Sequence, residues 1–451
     1  MNKESRYQYL NRLAATRGEY LLYNKDTLYF GKPDLGDTVS LLYGRDLMSF
    51  SVGITPNSGK YTYFNHDYHS EENITASTSD TNSSAEGITS FATSIADNLF
   101  SNETNIQYTA FEDKDMKQRM DILVELQKKV NEQQQIMLTA KSSNTGISLG
   151  KVVSLKSDKG NYGTYRVTTI SHQSNGNGRY ENTFIAVPIE IDIYPLTNIE
   201  LFSSSQPQMA KVVDTNDPEG LSRIKVRYAF EENTGRTSPW IRVATPYAGS
   251  DYGLHIIPEV GSSVIIGYHS GNVEQPYVLS SFYTGMNKHD SWQSEQNNFK
   301  GFTTKAGHKL EFNDTKDGEM ITITDKNQNV IQFDTVGKTI RISAPENIEI
   351  AAKNISITAQ ENINIGAEEN IEIAAQKDLN ALADGNLALQ SSGDMTAKSK
   401  ISLAMEATAD ISAKGMNAII EGKTSAEING TQTKVTGKAV TEVSAGIVKI
   451  N

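Results

Sequence analysis

The sequence contains no cysteine in its 451 residues. Disulfides, thiolate metal sites and cysteine nucleophiles are therefore excluded, and the redox compartment stays open. No apolar run approaches the roughly 18 residues of a membrane-spanning helix, and the N-terminus has no apolar segment typical of a signal peptide. We expect a soluble product that is cytoplasmic when assembled and that leaves the cell only by a route that reads no such leader.

A positive charge balance is also lacking, because the formal net charge is -12 and the sequence pI is about 5.2. Wholesale binding to nucleic acid or to an anionic membrane is therefore disfavoured, although a local basic patch stays allowed. The length predicts about two to four domains, each with its own core.

Sequence motifs for catalysis are scarce. "GISLG" at 146–150 matches the G-x-S-x-G elbow around Ser148, but it reads as continuous strand with no helix after it. His66 and His69 beside Asp67 have a metal-ligand spacing, yet a solvated loop is the favoured interpretation. No Walker A loop or dinucleotide fingerprint is present. We therefore predict no catalytic residue, no metal and no cofactor, in a protein that is not an enzyme.

The N-terminal part alternates short helix and strand patterns. Residues 5–17 predict a helix stopped by Gly18, followed by a hairpin with the turn "NKD". The Ser/Thr/Asn-rich stretch 70–108 predicts a long surface loop or a partly disordered insertion. Helical spacing predicts a helix within 115–138. Its apolar positions are Met116, Met120, Leu123, Val130 and Met137. Strand patterns then continue to Pro195 and predict a mixed, β-rich domain.

A small barrel is predicted after the Ser- and Pro-interrupted stretch 197–210. Residues 217–220 form a turn motif, Asp-Pro-Glu-Gly. In the strand that follows, apolar Ile224 and Val226 alternate with basic neighbours. Further strand patterns recur about every ten residues as far as Tyr283, which is the rhythm of a small barrel.

The segment "ENIEIAAKNISITAQENINIGAEENIEIAAQKDLNALADGNLALQ" at 346–390 repeats Asn or Asp before an apolar-x-apolar pair about every eight residues. Such a pair places both apolar groups on one face of a strand, and Asn or Asp suits the preceding turn. A unit this short supplies one wall of a prism and cannot enclose a core alone.

Two arrangements of these units are open. Either one chain spends three units on each coil, or three chains contribute one unit each. Because the Ile-x-Ile units are nearly alike, we favour three intertwined chains, in which every unit meets its own symmetry copies. A solvated low-complexity tail is disfavoured because the apolar positions are too regular. The predicted trimer interior comprises Ile348, Ile350, Ile355, Ile357, Ile363, Ile365, Ile371, Ile373, Leu379, Leu387 and Leu389.

The phrases "DTNDPEGLSRIKVRY", "SPWIRVATPYAG" and "IPEVGSSVIIGYHSGNVEQPYVLSSFY" closely resemble the VgrG (valine-glycine repeat) spike proteins of type VI secretion systems. They are also similar to hub and needle proteins of contractile phage tails. "YLNRLA", "GISLGKVVSL" and "YENTFIAVP" resemble the family's hub domain. The resemblance implies a mainly β trimer with a hub at 1–205, an OB-fold collar at 206–285, a linker at 286–300 and a triple-stranded β-prism needle at 301–451.

The family also implies partners and a role. The hub sits on an inner-tube protein of the Hcp type within a baseplate, and a PAAR-type protein caps the needle. We assign Ile447, Val448 and Ile450 to that tip contact. Sheath contraction drives the needle through a target membrane, carries effectors and exports the spike. A type VI system is the first hypothesis for the parent machine, and an extracellular injection particle or a phage tail is the alternative.

The chain departs from the family pattern in some respects. From the resemblance we expect that it begins partway into the hub, with roughly the first quarter of a family member missing, and that Asn-Ile-x-Ile replaces the valine-glycine signature. The 286–300 linker is too short for a lysozyme domain, and we expect no C-terminal effector extension, because strand patterns run to "SAGIVKIN".

Two rival functions can be stated from the residues. OB folds bind single-stranded nucleic acid through basic and aromatic side chains. The residues available here are Arg223, Lys225, Arg227, Arg242, Tyr228, Trp240 and Tyr247. We nevertheless predict no nucleic-acid partner, because the chain is acidic and carries a trimerising shaft. A β-helical glycan-cleaving enzyme would need a catalytic carboxylate pair, and no conspicuous inner pair appears in the repeats.

Overall fold

The structure is a computed structural model that describes residues 4–108 and 115–450. The chain divides into two units, Met1–Ile348 and Glu349–Asn451. The first unit is dominated by β-sheets, which confirms the mainly β fold class. Among the described residues, no helix is both long and apolar enough to cross a bilayer.

Helix α1 (Arg6–Arg17) is defined by its caps. The amide of Gln8 donates to Ser5 Oγ at 3.2 Å, and the Ser5 amide donates to Gln8 Oε1 at 2.8 Å, which is a capping box. Gly18 ends the helix with φ 69° and donates its amide to the Ala14 carbonyl. The hairpin of β1 (Leu21–Asn24) and β2 (Thr27–Phe30) follows. Both elements agree with the sequence prediction.

The stretch 70–108 is folded, so its prediction as a long loop or disordered insertion was wrong. Strands β3 (Val39–Leu42), β4 (Leu47–Ile54) and β5 (Tyr61–Asp67) precede this stretch. The stretch itself contains β6 (Glu72–Ser77), α2 (Gly87–Leu99) and β7 (Thr104–Gln107). Strand β5 pairs with β6 and β7. Helix α2 buries Thr89, Ala92 and Ala96. Small and hydroxylated residues form this buried face, which is why composition pointed to a loop.

Helix α3 (Met116–Gln134) buries Met116, Met120, Leu123 and Val130 as predicted. It ends earlier than expected, since strand β8 (Ile136–Ser142) begins two residues later. Met137 therefore lies on a strand with its side chain 48% exposed, and its assignment to the helix was wrong. The apolar alternation of β8 happened to continue the helical spacing.

The N-terminal sheet has six strands: β3, β4 and β8 are joined by β9 (Val152–Ser157), β10 (Gly160–Ser174) and β11 (Tyr180–Pro188). Its order is β3-β9-β10-β11-β8-β4. Strand β3 is parallel to β9, and every later pair is antiparallel. Strands β3 and β4 therefore run in the same direction, and a bridge between Tyr43 and Leu47 joins them. The sheet thus curls until its two edges meet around a core that contains the fully buried Leu41 and Leu47.

A buried ion cluster holds the N-terminal hairpin against this sheet. Arg166 donates from Nε and Nη2 to the two oxygens of Asp192 at 2.8 and 2.7 Å. The Tyr20 hydroxyl donates to Asp192 Oδ1 at 3.0 Å, and Lys32 Nζ lies 2.6 Å from Oδ2. Burial is the largest influence and raises the pKa of Asp192, but the hydrogen bonds from Arg166, Lys32 and Tyr20 together with the Arg166 charge outweigh it and leave that pKa below its usual value.

The next domain is a small closed barrel. Its strands are β12 (Gln208–Asp214), β13 (Lys225–Tyr228), β14 (Arg242–Val243), β15 (Ala248–Gly249), β16 (Tyr252–Gly253), β17 (Ser263–Tyr268) and β18 (Pro276–Phe282). The main sheet has the order β13-β12-β17-β18-β14. Reciprocal backbone hydrogen bonds between Ile224 and Ile241, at 2.9 and 2.8 Å, connect its two edges. Both side chains lie in the barrel core with Val226 and Val264.

A five-stranded antiparallel meander ends the first unit. Its strands are β19 (Phe299–Thr303), β20 (Lys309–Asn313), β21 (Met320–Thr324), β22 (Val330–Asp334) and β23 (Thr339–Ser343). Trp292, in the preceding segment, donates from Nε1 to Glu311. A Cβ at Gly301 would lie 2.2 Å from the Leu310 carbonyl oxygen and 3.0 Å from the Trp292 ring. Only glycine therefore lets the chain before the meander fold back onto it.

The second unit consists of extended segments separated by bends. A bend recurs about every eight residues between 353 and 446, and residues 349–450 include neither a helix nor a hydrogen-bonded strand. The eight-residue period read from the Asn and Asp positions is therefore present in the backbone. It also continues beyond residue 394, where those polar markers become irregular.

Candidate assembly surface

One face of the meander is apolar across all five strands. The register aligns Leu310, Ile323, Ile331 and Ile342 in one row. A second row consists of Phe312, Ile321, Phe333 and Ile340. Directly opposite residues of antiparallel strands share a face, so both rows form one continuous surface, to which Phe302 adds a third aromatic ring. The opposite face is polar along the row Glu311, Thr322, Gln332 and Arg341.

This apolar face lacks a cover within the described part of the chain. The large residues at its edge strand, Ile340 and Ile342, are 64 and 60% exposed, and Phe312 and Phe333 are each 39% exposed. A groove of about 530 Å³ runs over the same face, between Phe302 and Ile348. Monomeric proteins rarely expose contiguous apolar patches larger than a few hundred Å². The face therefore has the character of an assembly surface.

The backbone of the repeat forms no strand pairs within the described part of the chain. Within residues 349–450, no backbone amide donates to a backbone carbonyl of the described chain. The exposure of the isoleucines is regular, because the first of each Ile-x-Ile pair is 53–55% exposed and the second is 69–75% exposed. Every unit therefore has the same surroundings. Extended segments with open backbone groups and apolar side chains form a stable structure only when other strands pair with them.

All predicted interior residues are exposed in the single chain. Their exposed fractions run from 53% for Ile363 to 76% for Leu389. The predicted tip residues are exposed as well, from 48% for Val448 to 90% for Ile450. Their assignment to a trimer interior and to a tip contact stays a prediction.

The basic residues of the barrel are engaged by separate partners. Arg223 is 5% exposed and donates to both oxygens of Asp217 at 2.8 and 2.9 Å. This hydrogen bonding lowers the pKa of Asp217 far below its usual value and raises that of Arg223. Lys225 lies 4.7 Å above the Trp240 ring, and Arg242 lies 4.2 Å above the Tyr68 ring.

These contacts do not arrange the seven residues of the nucleic-acid hypothesis into one groove. Tyr228 stacks on Phe230 at 5.2 Å, and Tyr247 packs against Tyr252 at 5.4 Å. The aromatic rings thus face other rings of this chain, while Arg227 donates to the Arg236 carbonyl.

The turn after β5 joins the N-terminal domain to the barrel. His69 Nδ1 lies 3.6 Å from Glu219 Oε2, and the neighbouring Tyr68 carries the Arg242 contact. His66 lies on β5 and contacts Asn73 at 3.3 Å. Its placement in a loop was wrong, and the two histidines have different partners. The described residues include no cluster of three or more His, Asp or Glu side chains suited to a metal.

This junction was missed by sequence reasoning, because its residues are about 150 positions apart and follow no period.

Ser148 lies in a turn, so the prediction of continuous strand at 146–150 was wrong. Strand β9 follows that turn, whereas a nucleophile elbow leads into a helix.

Comparison with known proteins identifies the barrel. Residues 208–283 match the family model of the type VI secretion system/phage-baseplate injector OB domain. The chain is 36% identical over 90 residues to the type VI secretion system spike protein VgrG2a of Pseudomonas aeruginosa, covering 18% of this chain and 11% of that protein. It is 25% identical over 185 residues to VgrG1b of the same organism, covering 37% of this chain and 25% of that protein.

Among solved structures, the Francisella PdpA–VgrG complex in its lidded form has a TM-score of 0.37 and 10% identity, covering 69% of this chain and 50% of that chain. The alignments span a quarter or less of the two Pseudomonas relatives. The matched family model and relatives confirm the resemblance read from the barrel phrases.

Proposed function

We propose, from the premise that this chain is similar to VgrG spike proteins and carries an injector OB domain, that it forms the trimeric needle of a contractile injection machine. One observation carries the proposal. The described residues 349–450 make no backbone hydrogen bonds to one another and expose an apolar side chain or pair in successive units, which is an isoleucine pair in the four units between 348 and 373. Two further copies would supply both the missing strands and the missing apolar surface.

A closed prism explains the shape of each unit. An extended segment of about six residues followed by a bend is one wall, and a prism needs about three walls around its axis. With three chains, each isoleucine meets its own copies, so identical units are favoured. Fully burying an isoleucine contributes about 1.5–3 kcal/mol, and each chain contributes such pairs over successive turns.

The resulting spike would act by mechanical force. Paired strands without open edges resist bending, which suits a part that is pushed through a target membrane. We further propose an inner-tube protein of the Hcp type, baseplate components, effectors and a PAAR-type tip protein as partners. The spike would be cytoplasmic when assembled and exported by the machine.

A type VI system is the proposed parent machine, because the curated relatives above are type VI secretion spike proteins. A phage tail or an extracellular injection particle is the alternative, since the family model names both type VI and phage-baseplate injectors. We propose that the protein is not an enzyme. Release of oligosaccharide from bacterial glycans by the purified trimer would overturn that part.

Light scattering across a dilution series tests the oligomeric state. We expect a mass of three times 49.6 kDa that persists on dilution. Ile363→Asp would place three carboxylates around one axis, at a cost of several kcal/mol for each chain, and we expect it to abolish the trimer. Asn364→Asp is the matched control, because residue 364 lies between two inward positions and faces out. A monomeric parent, or an Ile363→Asp variant that stays trimeric with unchanged melting, would refute the assignment.

A further inference from the structure

The charge of the repeat changes sign along its length. Residues 349–396 carry eight carboxylates against two lysines, whereas residues 397–450 carry seven lysines against five carboxylates. Both halves are exposed throughout. Although the whole chain has a formal net charge of -12, the C-terminal half of the repeat, residues 397–450, therefore carries more positive than negative side chains.

The sign change is clearest at the bends. In the first half, bends contain Glu361, Glu368, Glu369 and Asp384. In the second half, they contain Lys400, Lys423 and Lys438. Lys353 and Lys377 are the two bend lysines of the first half. In the proposed trimeric needle, the bends would form the corners of the prism and point away from its axis, so that these side chains would set the outer charge of the shaft.

We propose that residues 397–450 form a contact surface for an anionic phospholipid bilayer. The proposal rests on the proposed trimeric needle, because three copies present each lysine three times around the shaft. A lysine near an anionic leaflet contributes about 1 kcal/mol, and the attraction falls off within a Debye length of about 10 Å. Repeated weak contacts on one rigid body add up. The acidic first half is repelled by the same surface.

The residue types favour lipid over nucleic acid. Residues 349–450 contain no arginine and no aromatic residue. Bases therefore find no ring to stack on and no guanidinium fork for bidentate hydrogen bonds. The same absence leaves no Trp or Tyr to insert into the membrane interface. The contact is superficial, driven by charge and sensitive to salt.

The test is flotation of the full-length chain with two kinds of vesicle, phosphatidylcholine with about 30% phosphatidylglycerol and phosphatidylcholine alone. We expect binding to the anionic vesicles that is lost as NaCl is raised, as screening requires. The variant Lys423→Gln/Lys438→Gln should bind at least about tenfold more weakly, from the two lost lysines on each chain. The matched control Lys353→Gln/Lys377→Gln removes the same number of bend lysines from the acidic half and should change binding less than about twofold.

Light scattering on the same samples separates the two proposals. Three results would overturn the lipid surface but not the needle, provided that the protein is a trimer. The trimer could fail to bind anionic vesicles, it could bind neutral vesicles equally well, or both double variants could bind anionic vesicles equally weakly. Salt-sensitive binding to a duplex oligonucleotide that exceeds binding to anionic vesicles also overturns it, in favour of a nucleic-acid partner. A monomeric parent overturns the needle itself.

Discussion

Asp217→Asn probes the ion pair that holds the first turn of the barrel. Asp217 and Arg223 have side chains 3 and 6% exposed. The carboxylate also accepts backbone amides of Glu219, Leu221 and Arg223 at 3.0–3.2 Å. The substitution keeps the shape but leaves the Arg223 charge with only the partly exposed Glu219 carboxylate, whose Oε2 lies 3.4 Å from Arg223 Nη2.

Breaking a buried ion pair from one side costs about 3–5 kcal/mol. We expect about 3 kcal/mol here, the lower end, because both side chains are shielded from water but Glu219 stays close to the guanidinium. The direction in which the stability changes with pH follows from the direction of the pKa shift of Asp217. The pKa of Asp217 is lowered from its ordinary value of 3.8, so the pair stabilises the fold above that value and is lost as pH falls through the folded pKa.

Urea unfolding followed by tryptophan fluorescence measures the effect. The chain has two tryptophans, so a Trp292→Phe background leaves Trp240, which contacts Lys225 within the barrel, as the only reporter. We expect the midpoint to fall at pH 7 and to depend less on pH below 4 than in the parent. Asp251→Asn, in an exposed turn of the same barrel, is the control. Equal midpoints for the parent and Asp217→Asn would refute the ion-pair reasoning.

Two further changes test the fold. Asp192→Asn should destabilise the N-terminal sheet by about 3–5 kcal/mol, because Arg166 keeps its buried charge, and thermal melting that matched the parent would contradict this. Gly301→Ala should destabilise the meander by about 1–3 kcal/mol through overpacking, since its Cβ would meet a carbonyl oxygen at 2.2 Å. Fluorescence of Trp292 should shift as the ring is displaced, and an unchanged spectrum would count against the close packing.

Short sequence motifs predicted the elements that are determined by interactions between residues close in the chain. Ser5 and Gly18 mark the ends of α1, and the turn at Asp217 with regular strand spacing indicated the barrel. The fold of 70–108 was missed because α2 uses alanine and threonine where a periodicity search needs large apolar residues. The contact of His69 with Glu219 depends on two domains meeting, which no local pattern encodes.

The assembly surface was only partly predictable. The Ile-x-Ile repeat was visible, whereas the meander was not distinguished from it because both alternate apolar and polar residues. Turn spacing separates them, since the meander strands begin about ten residues apart and the repeat bends about every eight. Whether a strand pairs within its chain or between chains depends on loop geometry, and alternation alone does not contain that information.

In the proposed trimer, the meander also bears on how the three chains would find their alignment. Units that are nearly alike every eight residues permit a chain to slip by one unit and still bury isoleucine, so the repeat alone specifies its register weakly. The meander is different, because its strands pair within one chain and its rows of Phe and Ile do not repeat every eight residues, so we expect them to fit a copy in one position. Three meanders that fold first and then dock would start the zippering from one defined end, and a shaft deprived of them would accumulate staggered, incomplete assemblies.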